Sequence, residues 1–233
     1  MRKILIVLTL LLLSTAVFAH QPRITYDSYS SEINPFIITN PEISQAFYGN
    51  LKITPDFYLI ESNKEFILYL QILSPDLNDS RTDFSVGIYR DNELLYTLYG
   101  KNFTWIKFYE EYAGDNYLAG PMIETQAHPG SYKIKIYNSY NSDNFGKYVL
   151  VVGKEESFPL NEVLNALFVL PKLKSDFFNV SPLTFFSSII GRYFLISIVT
   201  IIVAILLVYI IIKIIKRQKK RRKTSVSGTA LKN

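Results

Sequence analysis

Between residues 65 and 153 the apolar positions recur with a period of two. SYKIKIYN (131–138) sets Tyr132, Ile134 and Ile136 against Lys133 and Lys135, and DFSVGIYR (83–90) sets Phe84, Val86 and Ile88 on one face. Successive side chains of a strand point to opposite sides of a sheet, so both runs predict strands with one buried face. EFILYLQIL (65–73) and GKYVLVVG (146–153) are nearly continuous apolar runs and predict two more strands. Between the runs lie SPDLNDS from Ser74, RDNE from Arg90, HPGS from His128 and NSYNSDN from Asn138, all rich in turn formers. Short strands at this spacing, with no helical pattern among them, predict a mainly β fold: an antiparallel β-sandwich over residues 20–153.

After Gly153 the period lengthens. In FPLNEVLNALFVLPKL, Pro159 suits a helix start, and Leu160, Val163, Leu164, Leu167 and Phe168 follow at helical spacing. This predicts one short amphipathic helix that ends near Leu170 at Pro171. Its acidic Glu162 and few lysines favour packing on its own domain over lying on a membrane surface. KLKSDFFNVSP from Lys172 then reads as a stalk, so that residues 154–186 form a juxtamembrane helix and stalk.

Two apolar runs are of a different kind. Arg2 and Lys3, the run Ile4–Leu13 and the small residues Val17 and Ala19 have the layout of a secretory signal, which predicts a signal peptide over residues 1–19 and His20 as the first residue of the mature chain, with cleavage after Ala16 as the competing choice. Tyr193–Ile212 is uncharged and as long as the roughly 20 residues a helix needs to cross a hydrocarbon core, which predicts one transmembrane helix over residues 187–215. The tail, residues 216–233, is basic. Lys213, Lys216, Arg217, Lys219, Lys220, Arg221, Arg222 and Lys223 are the expected membrane anchor, stopping transfer and meeting anionic headgroups on the cytoplasmic side. A single-pass cell-membrane protein with its N-terminal domain outside the cytoplasm follows.

Charge sharpens this topology. From Lys213 onward the chain holds nine of its 25 Lys and Arg and no acid, and two more bases sit at the N-terminus. Residues 20–192 therefore carry 14 bases against all 20 acids, a net charge of about −6. An exterior domain of that sign argues against nucleic acid as a partner. The chain has no cysteine, so thiol catalysis and disulfides are excluded and the core alone holds the fold. Its 17 Tyr and 16 Phe suggest that large aromatic side chains fill that core.

AFYGNLKITPDFYLIESNKEFILYLQIL, then DFSVGIYRDNE, then PGSYKIKIYNSYNSDNFGKYVLVVG, resembles the bacterial pre-peptidase C-terminal domain family. The matching features are Asp56 and Tyr58 before an apolar strand, the alternating Phe84–Tyr89, and the late pair Gly130–Tyr137 and Gly146–Val151. The resemblance covers roughly half of the chain and implies a small jelly-roll-like sandwich in which these positions are structural. No catalytic residue carries over. The chain departs from the family in having no attached peptidase and in ending with its own membrane span.

No nucleophile elbow, Walker loop, H-E-x-x-H pair or dinucleotide fingerprint is present. The expectation is a binding module that catalyses nothing. Its best candidate surface is NFTWIKFYEEYAGDNYLAGP (102–121), long for a connection between strands, in which Trp105, Phe108, Tyr109, Tyr112 and Tyr117 stand beside Glu110, Glu111 and Asp115. Rings that stack and carboxylates that accept hydrogen bonds suit a carbohydrate or protein ligand. The alternative is a copper-binding sandwich. A mature chain starting at His20 resembles histidine-brace copper proteins, with His128 as the one other imidazole; a copper-dependent oxidative enzyme would be its catalytic form. A weaker possibility is calcium at Asp76, Asn78, Asp79 and Asp83, where Arg81 stands in place of the glycine an EF-hand requires.

Overall fold

The structure, a computed structural model, describes residues 20–139 and 143–229, with side chains as far as residue 218. The expected signal peptide and the side chains of Lys219, Lys220, Arg221, Arg222 and Lys223 lie outside the described residues. Eleven strands follow in chain order: β1 (Gln21–Ile24), β2 (Phe36–Ile37), β3 (Gln45–Ile53), β4 (Asp56–Ser62), β5 (Phe66–Pro75), β6 (Phe84–Arg90), β7 (Glu93–Leu98), β8 (Ile106–Glu110), β9 (Asp115–Ala127), β10 (Gly130–Asn138) and β11 (Asn144–Val152). They form a six-stranded sheet in the order β1-β3-β11-β5-β9-β8 and a five-stranded sheet in the order β2-β4-β10-β6-β7. Pairing is antiparallel except for β1 with β3 and β2 with β4. The fold is the mainly β sandwich that the alternation predicts, followed by a shorter helix and one long apolar helix.

The register explains the alternation. Ile134 stands between Tyr58 and Ile88, and Ile136 pairs with Val86. These residues meet Leu68, Leu70, Ile72 and Leu150 from the opposite sheet in one fully buried layer. The two halves of the sequence pattern also meet there. The Tyr148 hydroxyl donates to Asp56 Oδ2 at 2.7 Å and lies 2.9 Å from the Tyr58 hydroxyl. Burying two phenols is tolerable because each finds a partner inside. Gly49 makes room for the ring, since a Cβ there would stand 2.2 Å from Tyr148 Cζ.

The continuous apolar runs have a different cause: the six-stranded sheet is covered on both faces. Ala46, Tyr48, Leu73, Val149 and Val151 point away from the sandwich interior into a second cluster, closed by α1 (Leu160–Asp176), a 3-10 helix (Pro182–Ser187) and the start of α2 (Ile189–Thr229). Here two expectations are corrected. The first helix does not stop at Pro171 but runs through it to Asp176. An internal proline costs roughly 3 kcal/mol, and the burial of Leu170, Leu173 and Phe177 around it offsets that cost. The docked face matches the spacing only in part: Leu167 packs against the cluster, but the centre of the face lies elsewhere. Ala166, Leu170, Leu173 and Lys174 face the sheet, while Leu160, Leu164 and Phe168 face outward. The stretch read as a stalk is therefore part of the folded domain, with Phe177, Phe178 and Phe185 buried.

Among the described residues, one helix, spanning Ile189–Gln218 within α2, is long and apolar enough to cross a membrane.

Candidate functional site

Residues 102–121, expected as a long connecting loop, are mostly a β-hairpin. β8 pairs with β9 from Ile106↔Ala119 to Glu110↔Asp115, leaving only a tight turn at Glu111–Gly114. The alternation of a strand then separates the candidate ligand residues. Trp105 is partly buried against the inter-sheet core, and its indole N–H donates to the Gly100 carbonyl at 2.9 Å. Tyr117 is buried in the second cluster, its hydroxyl 3.0 Å from that of Tyr48 and its ring stacked under Phe108 at 5.4 Å. Tyr112 is half-buried, its ring 5.7 Å from Phe158. Phe108, Tyr109 and Glu111 are exposed.

The acids divide in the same way. Glu110 folds back over its own turn and accepts from the amides of Tyr112 at 3.0 Å and Ala113 at 2.8 Å. Burial is the largest influence on this carboxyl, and its proton affinity is pushed up to about 7 against the pull of those two amides. Asp115 is buried with Lys174, whose ammonium donates to Asp115 Oδ1 at 2.7 Å and to the carbonyls of Ala113 and Gly114 at 2.7 and 2.9 Å. Burial raises the Asp115 carboxyl, and the attraction of Lys174 opposes the rise without cancelling it. Lys174 is only 1 % exposed. The three donors of its ammonium all find acceptors, which is what makes such burial possible.

The same turn holds the beginning of α2. The amides of Ile189 and Ile190 donate to the carbonyls of Glu111 and Tyr112 at 3.2 and 3.4 Å, and the Ser188 hydroxyl accepts from the Gly191 amide at 3.1 Å. These bonds satisfy donors that a helix N-terminus otherwise leaves open. Gly114, at φ +74, lets the chain turn here, and a Cβ on it would lie 3.1 Å from both Ser188 Cβ and the Tyr109 hydroxyl. Ile190 is buried and Phe194 packs against the same cluster. Sequence reasoning missed Lys174, Ser188 and Ile190. One signal was present for Lys174: it lies one residue after Leu173 in the Leu170, Leu173, Phe177 spacing.

The two histidines do not form a copper brace. His20 precedes β1 and His128 follows β9, four strand spacings apart in the sheet, or roughly 19 Å. His20 Nδ1 is hydrogen-bonded to the Ser44 hydroxyl, and burial lowers its proton affinity to about 4. His128 Nδ1 lies 3.1 Å from Glu65 Oε1 at an exposed turn. The calcium candidates fare similarly. Asp76 is engaged by Lys107 at 2.9 Å and Asp83 by Arg81 at 2.7 Å, while Asn78 and Asp79 are exposed. Among the described residues no three His, Cys, Asp or Glu side chains are grouped to hold a metal ion.

β7 and β8 are edge strands of the two sheets, and β7 approaches β9, the neighbour of β8. Leu94, Leu95, Tyr96, Tyr99, Phe103 and Ile106 are all exposed on β7, β8 and the segment that joins them.

No family model matches the sequence, and no curated protein matches it. Among solved structures the chain is similar to the pre-peptidase C-terminal domain of collagenase from Bacillus anthracis, with 13% identity and a TM-score of 0.32, over 50% of this chain and 91% of that one. It is also similar to a β-glucosidase from Paenibacillus barengoltzii, with 10% identity and a TM-score of 0.27, over 57% of this chain and 13% of that one. The first is of the family that the sequence resembles. The sandwich itself is defined by the strand pairing given above.

Proposed function

We propose that the chain is a membrane-anchored exterior binding module, without a catalytic step, that takes a polypeptide ligand on the β7–β8 flank. The observation carrying this reading is the exposure of six large apolar side chains on β7, β8 and the segment that joins them. A free edge offers a row of unpaired backbone donors and acceptors, and sandwiches normally blunt such edges with charges, prolines or bulges. Here the charges are Glu93 at the start of β7 and Lys107 and Glu110 in β8, with Lys107 drawn to Asp76 and Glu110 to its own turn, and a single bulge at Leu95 interrupts the β6–β7 pairing. An extended peptide would supply both the backbone bonds and the apolar cover. The net negative charge of residues 20–192 and the basic run from Lys213, in the C-terminal part of α2, favour an orientation with the domain outside the cytoplasm.

The test is site-specific photocrosslinking in membranes from the native host. A crosslinker in place of Tyr99 or Phe103 should give a discrete protein adduct, and one in place of Ile37 on the opposite edge strand β2 should not. Leu95→Lys with Ile106→Lys should abolish the adduct. Equal labelling from both edges would contradict the reading. Glycan binding lost with Tyr99→Ala would replace the polypeptide by a carbohydrate.

A further inference from the structure

We propose that the end of the domain formed by the β8–β9 turn and the 3-10 helix rests in the headgroup layer of the bilayer that α2 crosses, with Tyr109, Val180, Leu183 and Tyr193 as its contacts. This inference rests on reading α2 as a membrane span and goes beyond it. A span alone is compatible with a domain held well clear of the lipid.

Helix length sets the depth. The uncharged stretch Tyr193–Ile212 is bounded by Arg192 and Lys213. At 1.5 Å per residue it covers about 30 Å, the thickness of the hydrocarbon core. Ile189 then stands about 6 Å above the hydrocarbon boundary, and the headgroup layer is itself about 5–7 Å deep. Ile189 and Ile190 are hydrogen-bonded directly to Glu111 and Tyr112, so the hairpin tip sits at that same level. No spacer intervenes, because Phe185, Ser188 and Ile190 are buried against the domain.

The groups exposed at this end suit such a layer. Tyr109 is 52% exposed, with its hydroxyl beside Gly114 and Ser188, and Leu183 is 72% exposed on the 3-10 helix. Val180 and Tyr193 are exposed on either side of it along the chain. Tyrosines favour the interface because the ring is apolar and the hydroxyl polar. Glu111, exposed at the tip, and Arg192, donating to the Ser188 carbonyl, remain at the depth where water and headgroups solvate charge.

The chain contains no cysteine, so single-cysteine variants of the full protein report one site each. Tyr109→Cys, Val180→Cys and Leu183→Cys would carry an environment-sensitive fluorophore in nanodiscs containing nitroxide lipids. Asn63→Cys serves as the distant reference, since the β4–β5 turn lies at the other end of β5. Leu206→Cys reports the span. The proposal expects headgroup nitroxides to quench positions 109, 180 and 183 several-fold more than position 63, and acyl-chain nitroxides to quench position 206. Equal quenching at 63 and at the three junction sites, with 206 still quenched from within the bilayer, would overturn the footing and leave the span. Failure to quench 206 would overturn both.

Discussion

The two faces of the six-stranded sheet are buried by different means. Its inner face meets the five-stranded sheet through aliphatic and aromatic side chains, with the Asp56–Tyr148–Tyr58 contact as a polar insertion. Its outer face meets α1 and the start of α2 through aromatic rings and a charged group, with Lys174 and Asp115 paired under the helix and Glu110 beside them. An apolar layer tolerates many side chains of the right volume, whereas a buried ion pair requires each partner to be in place. The first layer holds the sandwich together; the second fixes α2 to it.

Truncation separates the two layers most strongly. Phe84→Ala should cost about 3–5 kcal/mol and lower the unfolding midpoint of the whole domain in denaturant. Phe177→Ala should instead raise amide exchange in α1 and the 3-10 helix while β6 and β10 stay protected. Uniform loss of protection would make the layers one cooperative unit. Next in size, Asp115→Ala should cost about 3 kcal/mol or more, because it leaves the Lys174 charge buried without its partner. The double variant Asp115→Ala/Lys174→Met should recover much of that loss, and a double as unstable as the single would show that the charge is not the cause. Gly114→Val, which imposes a side chain at φ +74 and against Ser188, should cost about 1–3 kcal/mol. Exchange at the Ile189 amide would report it, and an unchanged rate would contradict the clamp.

The smallest net effect expected is that of pH, because two groups act in opposite senses. Glu110 binds its proton more tightly in the folded state, near pH 7 against 4.5, so its contribution to stability is complete below 4.5 and lost as pH rises through about 7. His20, lowered from 6.5 to about 4, acts in the opposite sense and destabilises as pH falls through that range. Comparison of Glu110→Gln with the parent isolates the first contribution. The variant should lose stability less between pH 4.5 and 7, and parallel curves would remove Glu110 from the account.

Much of the sandwich was legible because its signal is local. The alternations at Phe84–Ile88 and Tyr132–Ile136 appear in the structure as buried faces, and RDNE is a hairpin turn with Asp91 and Asn92 at positive φ. The outer layer was less legible for three physical reasons. Lys174 was passed over despite its place in the Leu170, Leu173, Phe177 spacing, because a lysine on a helix normally faces water. Pro171 was read as a stop because proline breaks helices unless tertiary packing offsets the lost bond. Leu160, Leu164 and Phe168 gave the more hydrophobic stripe, yet the sheet took the face with small Ala166, which admits closer approach. The candidate site suffered likewise. Residue types marked 105–117 as unusual, but only the pairing of β8 with β9 shows that Trp105, Tyr117 and Asp115 turn inward while Phe108, Tyr109 and Glu111 remain outside.

The sandwich is mounted on α2 without a flexible stalk. Hydrogen–deuterium exchange of the full chain in nanodiscs, followed at residues 110–114 and 185–192, tests it most directly. The account predicts protection at the Ile189, Ile190 and Gly191 amides comparable to that in the middle of α1. Exchange there at the rate of an unstructured linker, with the strands still protected, would contradict it.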